Sequence, residues 1–258
     1  MDLEQKLKIL VNKLSTGNFD EVIFEATYLN KKHPEQEIFY NLLSLGYQAK
    51  GEYEKSIDLL ENALKKSKNN INFLNNLGLS YYKKKEYDPA EKYFQKVLEI
   101  KPNYINTLNN LAALYEEINH VEKSEDLLKK SIKINSEVIE TNYNLASLLQ
   151  SIGKFDEAKI YYKKILKLDE NFTKADRGIA MLEKYDSSND HIKAMEKKIK
   201  NKKLHKSNII DLSFALGKVY EDIKDYEKSF FYIEKANKLK KNLLNYDIEN
   251  DKKLFQKI

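Results

Sequence analysis

The chain has 258 residues, 33% of them charged, a formal net charge of +5 and no cysteine, which excludes disulfides, thiolate metal sites and cysteine nucleophiles. Seven glycines and three prolines are too few for the turns of a sheet-rich domain of this length and favour an all-α fold. Forty acidic residues offset 45 basic ones, the balance of an intermixed, solvated surface.

The first ten residues, MDLEQKLKIL, mix charges and lack the apolar stretch of a signal peptide. No run of about 18 uncharged apolar residues follows anywhere in the chain, so no membrane span is expected and a cytoplasmic location is the default. His33, His120, His191 and His205 are scattered, without an HExxH pattern. Neither a metal nor a cofactor is therefore expected.

From residue 3 onward the sequence repeats every 34 residues. Units begin at 3, 37, 71, 105, 139 and 173 without insertion, and a seventh begins at 210 after three extra residues. The seventh position is large and apolar: Ile9, Leu43, Leu77, Leu111, Leu145, Ile179 and Leu216. The eighth is small from the second unit on: Ser44, Gly78, Ala112, Ala146, Ala180 and Gly217. A small residue there lets two helices approach closely. The eleventh (Tyr47, Tyr81, Tyr115, Leu149 and Tyr220) shares a helical face with the seventh by i, i+4 geometry.

A short polar break follows, carrying Gly17, Gly51 and Gly153 in three of the units, and separates the first helix from a second. The second helix carries a stripe such as Ala90/Phe94/Val97 or Ala158/Tyr162/Ile165, spaced by four and three on one apolar face. Asp88-Pro89 reads as an N-cap followed by proline at the first helical position. Pro34 and Pro102 close their units.

These positions resemble the tetratricopeptide repeat (TPR) family, over residues 3–243. The resemblance implies an all-α, right-handed α-solenoid of about seven helix hairpins plus a C-terminal helix. Residues 3–172 form five regular units, and 210–243 the last. The unit at 173–209 keeps Ile179 and Ala180 but loses the stripe around His191 to Lys203, so an irregular or longer second helix is expected there. Residues 244–258 are expected to form a capping or linker helix, since solenoid ends need a polar cover.

The sixth residue of three successive units is asparagine: Asn76, Asn110 and Asn144. Asn75 and Asn109 precede two of them, and Asn72 and Asn106 lie one turn earlier. The TPR resemblance implies that first helices line a concave groove, where a protein or extended peptide binds. A primary amide both donates and accepts, and so can bond a ligand backbone without reading its side chains. A similar asparagine ladder occurs in the TPR region of O-linked N-acetylglucosamine transferases. The competing reading is compositional, because the whole chain is rich in asparagine.

The family's grip on chaperone tails requires a lysine where this sequence has Asn41 and Leu45, so that mode is not expected. The segment 191–206 holds seven lysines and one glutamate but neither arginine nor interleaved aromatics. It reads as a solvated helix face, and nucleic acid is disfavoured as a partner. Gly46 and Gly51 have Walker-like spacing, yet Glu52-Tyr53 follows them and no strand precedes. No GxSxG or GxGxxG occurs, and no catalytic residue is expected.

Phe214–Asp222, Asp225-Tyr226, Ser229-Phe230, Ala236-Asn237 and Tyr246-Asp247-Ile248 resemble the last repeat of bacterial TPR-sulfotransferase proteins. In that family a phosphosulfate-binding loop follows, whereas this sequence ends at Ile258 before one. Two functions stay open at this point. One is an interaction scaffold, and the other is the recruiting arm of a sulfotransferase whose catalytic domain is absent from the chain. The oligomeric state is open as well.

Overall fold

The computed structural model describes residues 3–244. Among these, every regular element is an α-helix. The chain divides into two compact units after Asn135. The first holds α1 (Leu3–Ser15), α2 (Phe19–Lys32), α3 (Glu37–Ala49), α4 (Tyr53–Leu64), α5 (Ile71–Lys83), α6 (Tyr87–Ile100), α7 (Ile105–Glu117) and α8 (Val121–Ile134). The second holds α9 (Ile139–Ser151), α10 (Phe155–Leu168), α11 (Thr173–Leu182), α12 (Asp190–Ile199), α13 (Lys206–Asp222) and α14 (Tyr226–Leu243). The expected helix over 245–258 lies outside the described residues.

The hairpins turn at one register position, the fifteenth. Gly17, Gly51 and Gly153 adopt positive φ there, and so do Lys85, Asn119 and Lys224 with φ of 66°, 60° and 65°. A left-handed residue reverses the chain directly after a helix. The sequence marked only the three glycine turns; lysine carries no such mark. Helix α5 starts on Asn70, whose side chain accepts from the backbone N–H groups of Asn72 and Phe73. The expected cap at Asp88 is displaced: α6 begins at Tyr87, which makes Pro89 its third residue. Proline is tolerated there because the first four backbone N–H groups of a helix have no intrahelical partner.

Packing follows the periodic stripe. Within the first unit, Leu43, Leu77 and Leu111 are buried together with Leu60, Phe94 and Leu128 from second helices. Within the second, Leu145, Ile179 and Leu216 are buried with Tyr162 and Ile165. Each such side chain contributes roughly 1.5–3 kcal/mol of burial. Ile9 holds the same register position but is exposed. The small eighth position does what its size implies: a Cβ on Gly78 would lie 2.7 Å from Cε1 of Phe94, and one on Gly217 would lie 2.6 Å from Cγ1 of Ile233.

The unit at 173–209 departs from its neighbours in a way the sequence did not indicate. Its second helix, α12, is regular and short at ten residues, not irregular or long. The irregular backbone is the connection 183–189 instead. Here Asp176 takes the place of the missing apolar stripe. Its fully buried carboxylate accepts from Lys198 Nζ at 2.8 and 2.9 Å and pairs with His191 Nε2 at 2.9 Å. His191 Nδ1 meets the buried hydroxyl of Tyr185 at 2.7 Å. Ile192 and Met195 of α12 complete the unit by packing among Leu212, Leu216 and Val219 of α13.

Candidate functional site

In the first unit the first helices α3, α5 and α7 touch in sequence, and their asparagine side chains bond across the contacts. Asn76 Nδ2 donates to Asn41 Oδ1 at 3.1 Å. Asn110 Nδ2 donates to Asn75 Oδ1 at 3.2 Å, and Thr107 Oγ1 donates to the same oxygen at 2.7 Å. Asn75 Nδ2 approaches Asn76 Oδ1 at 3.5 Å. The amides of Asn41, Asn76, Asn75 and Asn110 thus form one chain over three helices. At its edge Tyr104 Oη donates to Asn72 Oδ1 at 2.9 Å.

The seven expected binding asparagines fall into three classes. Asn75 and Asn109 are buried, because the fifth register position points toward a neighbouring helix. Asn76 and Asn110 are half-buried, and Asn72 and Asn106 are exposed. Asn144, half-buried on α9, belongs to the second unit and makes no side-chain hydrogen bond among the described residues. Each amide has two donor and two acceptor positions. Asn110 spends one N–H on Asn75, and its other N–H and its carbonyl have no side-chain partner among the described residues.

The second unit carries a recess of about 470 Å³ between the first helices α9, α11 and α13. Tyr143, Ser147 and Gln150 line one side, and Lys174, Arg177 and Asp211 the other. Tyr162 Oη donates to Gln150 Oε1 at 2.9 Å. Tyr143 stacks edge-on against Phe172 with centroids 5.5 Å apart. Burial, and then the Asp211 carboxylate, push the Tyr143 hydroxyl above its usual pKa against the pull of Arg177, so it remains a neutral donor at neutral pH.

Arg177 is the only arginine of the chain and lies beyond the residues singled out from sequence. Its guanidinium carbon sits 4.9 Å from the Phe214 ring centroid, and Nη1 is 3.5 Å from Asp211 Oδ1. The legible signal was its rarity: every other side chain of permanent positive charge is lysine.

The cluster of titratable groups formed by Asp176, His191, Lys198 and Tyr185 is closed off by burial and holds helices together. Among the described residues no group of three His, Asp or Glu side chains is arranged to hold a metal ion. No described helix is long and apolar enough to cross a membrane.

Family models described as tetratricopeptide repeat match residues 71–104, 105–138, 139–172 and 210–243, and one described as TPR repeat matches 47–85. Together they span more than half of the chain. This chain belongs to the tetratricopeptide-repeat family.

Solved TPR structures share its fold at low identity. The thermophilic TPR protein TTC0263 of Thermus thermophilus is 17% identical with a TM-score of 0.64, covering 69% of this chain and 98% of that one. The Pseudomonas aeruginosa pilF structure is 20% identical with a TM-score of 0.59, covering 84% and 96%. The APC/C hetero-tetramer Cut9–Hcn1 gives 11% identity and a TM-score of 0.68, covering 92% of this chain and 46% of that one. No curated protein matches the sequence, so the likeness of Phe214–Asp222 and its neighbours to TPR-sulfotransferases gains no support from relatives.

Proposed function

We propose that this TPR protein is an interaction scaffold that binds an extended segment of another polypeptide along the first helices of its hairpins. The amide chain over α3, α5 and α7 carries the reading. Hydrogen bonds between Asn41 and Asn76, and between Asn75 and Asn110, fix the amides in place before a ligand arrives. The entropy of ordering them is then spent on folding and not on binding. Neighbouring packed helices lie roughly 8–10 Å apart, close to the span of about three residues of extended peptide. Asn76 and Asn110 can therefore address a ligand backbone at regular intervals, each bond contributing about 0.5–1.5 kcal/mol. Asn144 offers the same group on α9.

The same bonds also join the helices, so a structural role and a binding role must be separated by two readouts. For the triple variant Asn76→Ala, Asn110→Ala, Asn144→Ala, retention of members of a random peptide library should fall by at least ~10-fold, equivalent to about 1.4 kcal/mol. Helical circular dichroism at the assay temperature should stay at the wild-type level. Wild-type retention by the triple variant would refute binding through these amides.

A further inference from the structure

The second unit also indicates what kind of partner the scaffold takes, and this inference rests on the scaffold reading. A second recess, of about 240 Å³, adjoins the first and is lined by Ile210, Phe214, Lys240 and Leu243. The two recesses share Lys174, Arg177 and Asp211. Ser147, Gln150 and Ser151 line one alongside Tyr143, Tyr162 and Met181, mostly apolar side chains line the other, and the guanidinium of Arg177 lies where they meet.

That guanidinium is held but not used up. The Phe214 ring lies against it, and Asp211, itself accepting from Thr173 Oγ1 at 3.3 Å, touches one nitrogen at the limit of hydrogen bonding. Arginine has five N–H donors in a planar fork. The other four have no protein partner among the described residues, and the side chain is 45% exposed. Lys174 and Lys240 are exposed beside it. Three positive groups against one carboxylate give this junction a net positive charge.

A chain that meets every other need for permanent positive charge with lysine gains two properties from arginine here. The flat guanidinium stacks on Phe214, and the fork can take both oxygens of a carboxylate. We propose that Arg177 anchors an aspartate or glutamate side chain of the bound polypeptide. The residues flanking that acid extend into the two recesses, with an apolar one against Ile210, Phe214 and Leu243. An internal acid is favoured over a chain end because recesses continue on both sides of Arg177.

The test is selection from a library of short peptides blocked at both ends, followed by synthesis of a retained sequence and its Glu→Gln or Asp→Asn counterpart. Retained peptides should share one acidic position with an apolar residue nearby. The amide counterpart should bind at least ~10-fold more weakly. Arg177→Lys, which keeps the charge but not the fork, should weaken the acidic peptide by about 10-fold and leave the amide peptide unchanged. Phe214→Leu should produce a smaller loss of the same kind.

Retention with no acidic preference would overturn the inference and leave the scaffold standing. So would a preference that survives Arg177→Lys and Arg177→Ala, or one that appears only with free C-termini. If no peptide is retained at all, the scaffold reading and this inference fall together.

Discussion

Position fifteen of each repeat turns the chain, and the structure uses three residue types for the same left-handed backbone. Glycine occupies it without steric cost at 17, 51 and 153. Asn119 is the next best choice, since asparagine tolerates this region. Lys85 and Lys224 carry a Cβ against the following carbonyl, at roughly 1–2 kcal/mol each. Replacing either by glycine is expected to stabilise the protein by about 1 kcal/mol, after the greater freedom of unfolded glycine is set against the relieved clash. Thermal unfolding of Lys85→Gly and Lys224→Gly would show this as a rise of roughly 2–4 °C for each. A fall would mean that the lysine side chains contribute more than the turn geometry costs. Only the glycine turns were legible in the sequence, because a lysine codon says nothing about φ.

At the scale of the helix, the repeat from 173 to 209 replaces apolar packing by charge. Asp176 is fully buried and bonded to Lys198 and His191, with side chains only 13% and 16% exposed. Burying such groups is tolerable only while they remain paired. Asp176→Asn should cost about 3–5 kcal/mol by leaving the Lys198 ammonium buried without a counter-charge, and Lys198→Met should cost less, because His191 still pairs with Asp176. The double substitution should recover much of that loss. Denaturant midpoints of the four proteins form the required cycle. Additive losses would show that the pair is not coupled. The sequence displayed Asp176 at the fourth position of a degenerate unit, but its partners lie 15 and 22 residues away. No periodicity links them, which is why the sequence points to an irregular or longer second helix where α12 is ordered and short.

At the scale of the whole molecule, stability is shared among many similar helix contacts, and tyrosine is prominent in them. The chain has 18 tyrosines. Burial is the main cause of a raised pKa at Tyr81, Tyr115, Tyr162, Tyr185 and Tyr220, and Tyr115, which also donates to Glu91, is pushed up to about 12. A phenol whose folded pKa exceeds its unfolded value binds its proton more tightly in the folded state. Its contribution is therefore complete below the unfolded value near 10 and is lost as pH rises from there through about 12. Urea midpoints should hold steady up to pH of about 9.5 and then fall steeply. In a phenolate absorbance titration the buried tyrosines should ionise after the exposed ones, together with the loss of helix. A single ionisation step near pH of about 10 with helix intact would contradict the assignment.

The sequence by itself determined the helices, their 34-residue period and the faces that would be buried. Those follow from local rules: apolar residues at i, i+3 and i+4, a small residue where helices meet, and a break between. It also identified the asparagine column. Tertiary structure decided which of those amides stay open to solvent, since Asn75 and Asn76 are neighbours in the chain yet only Asn75 is buried. It likewise decided that Arg177, Asp211 and Phe214 meet, and that Asp176 is neutralised from a different helix. These outcomes depend on how helices pack, through distances between residues that no repeat period specifies.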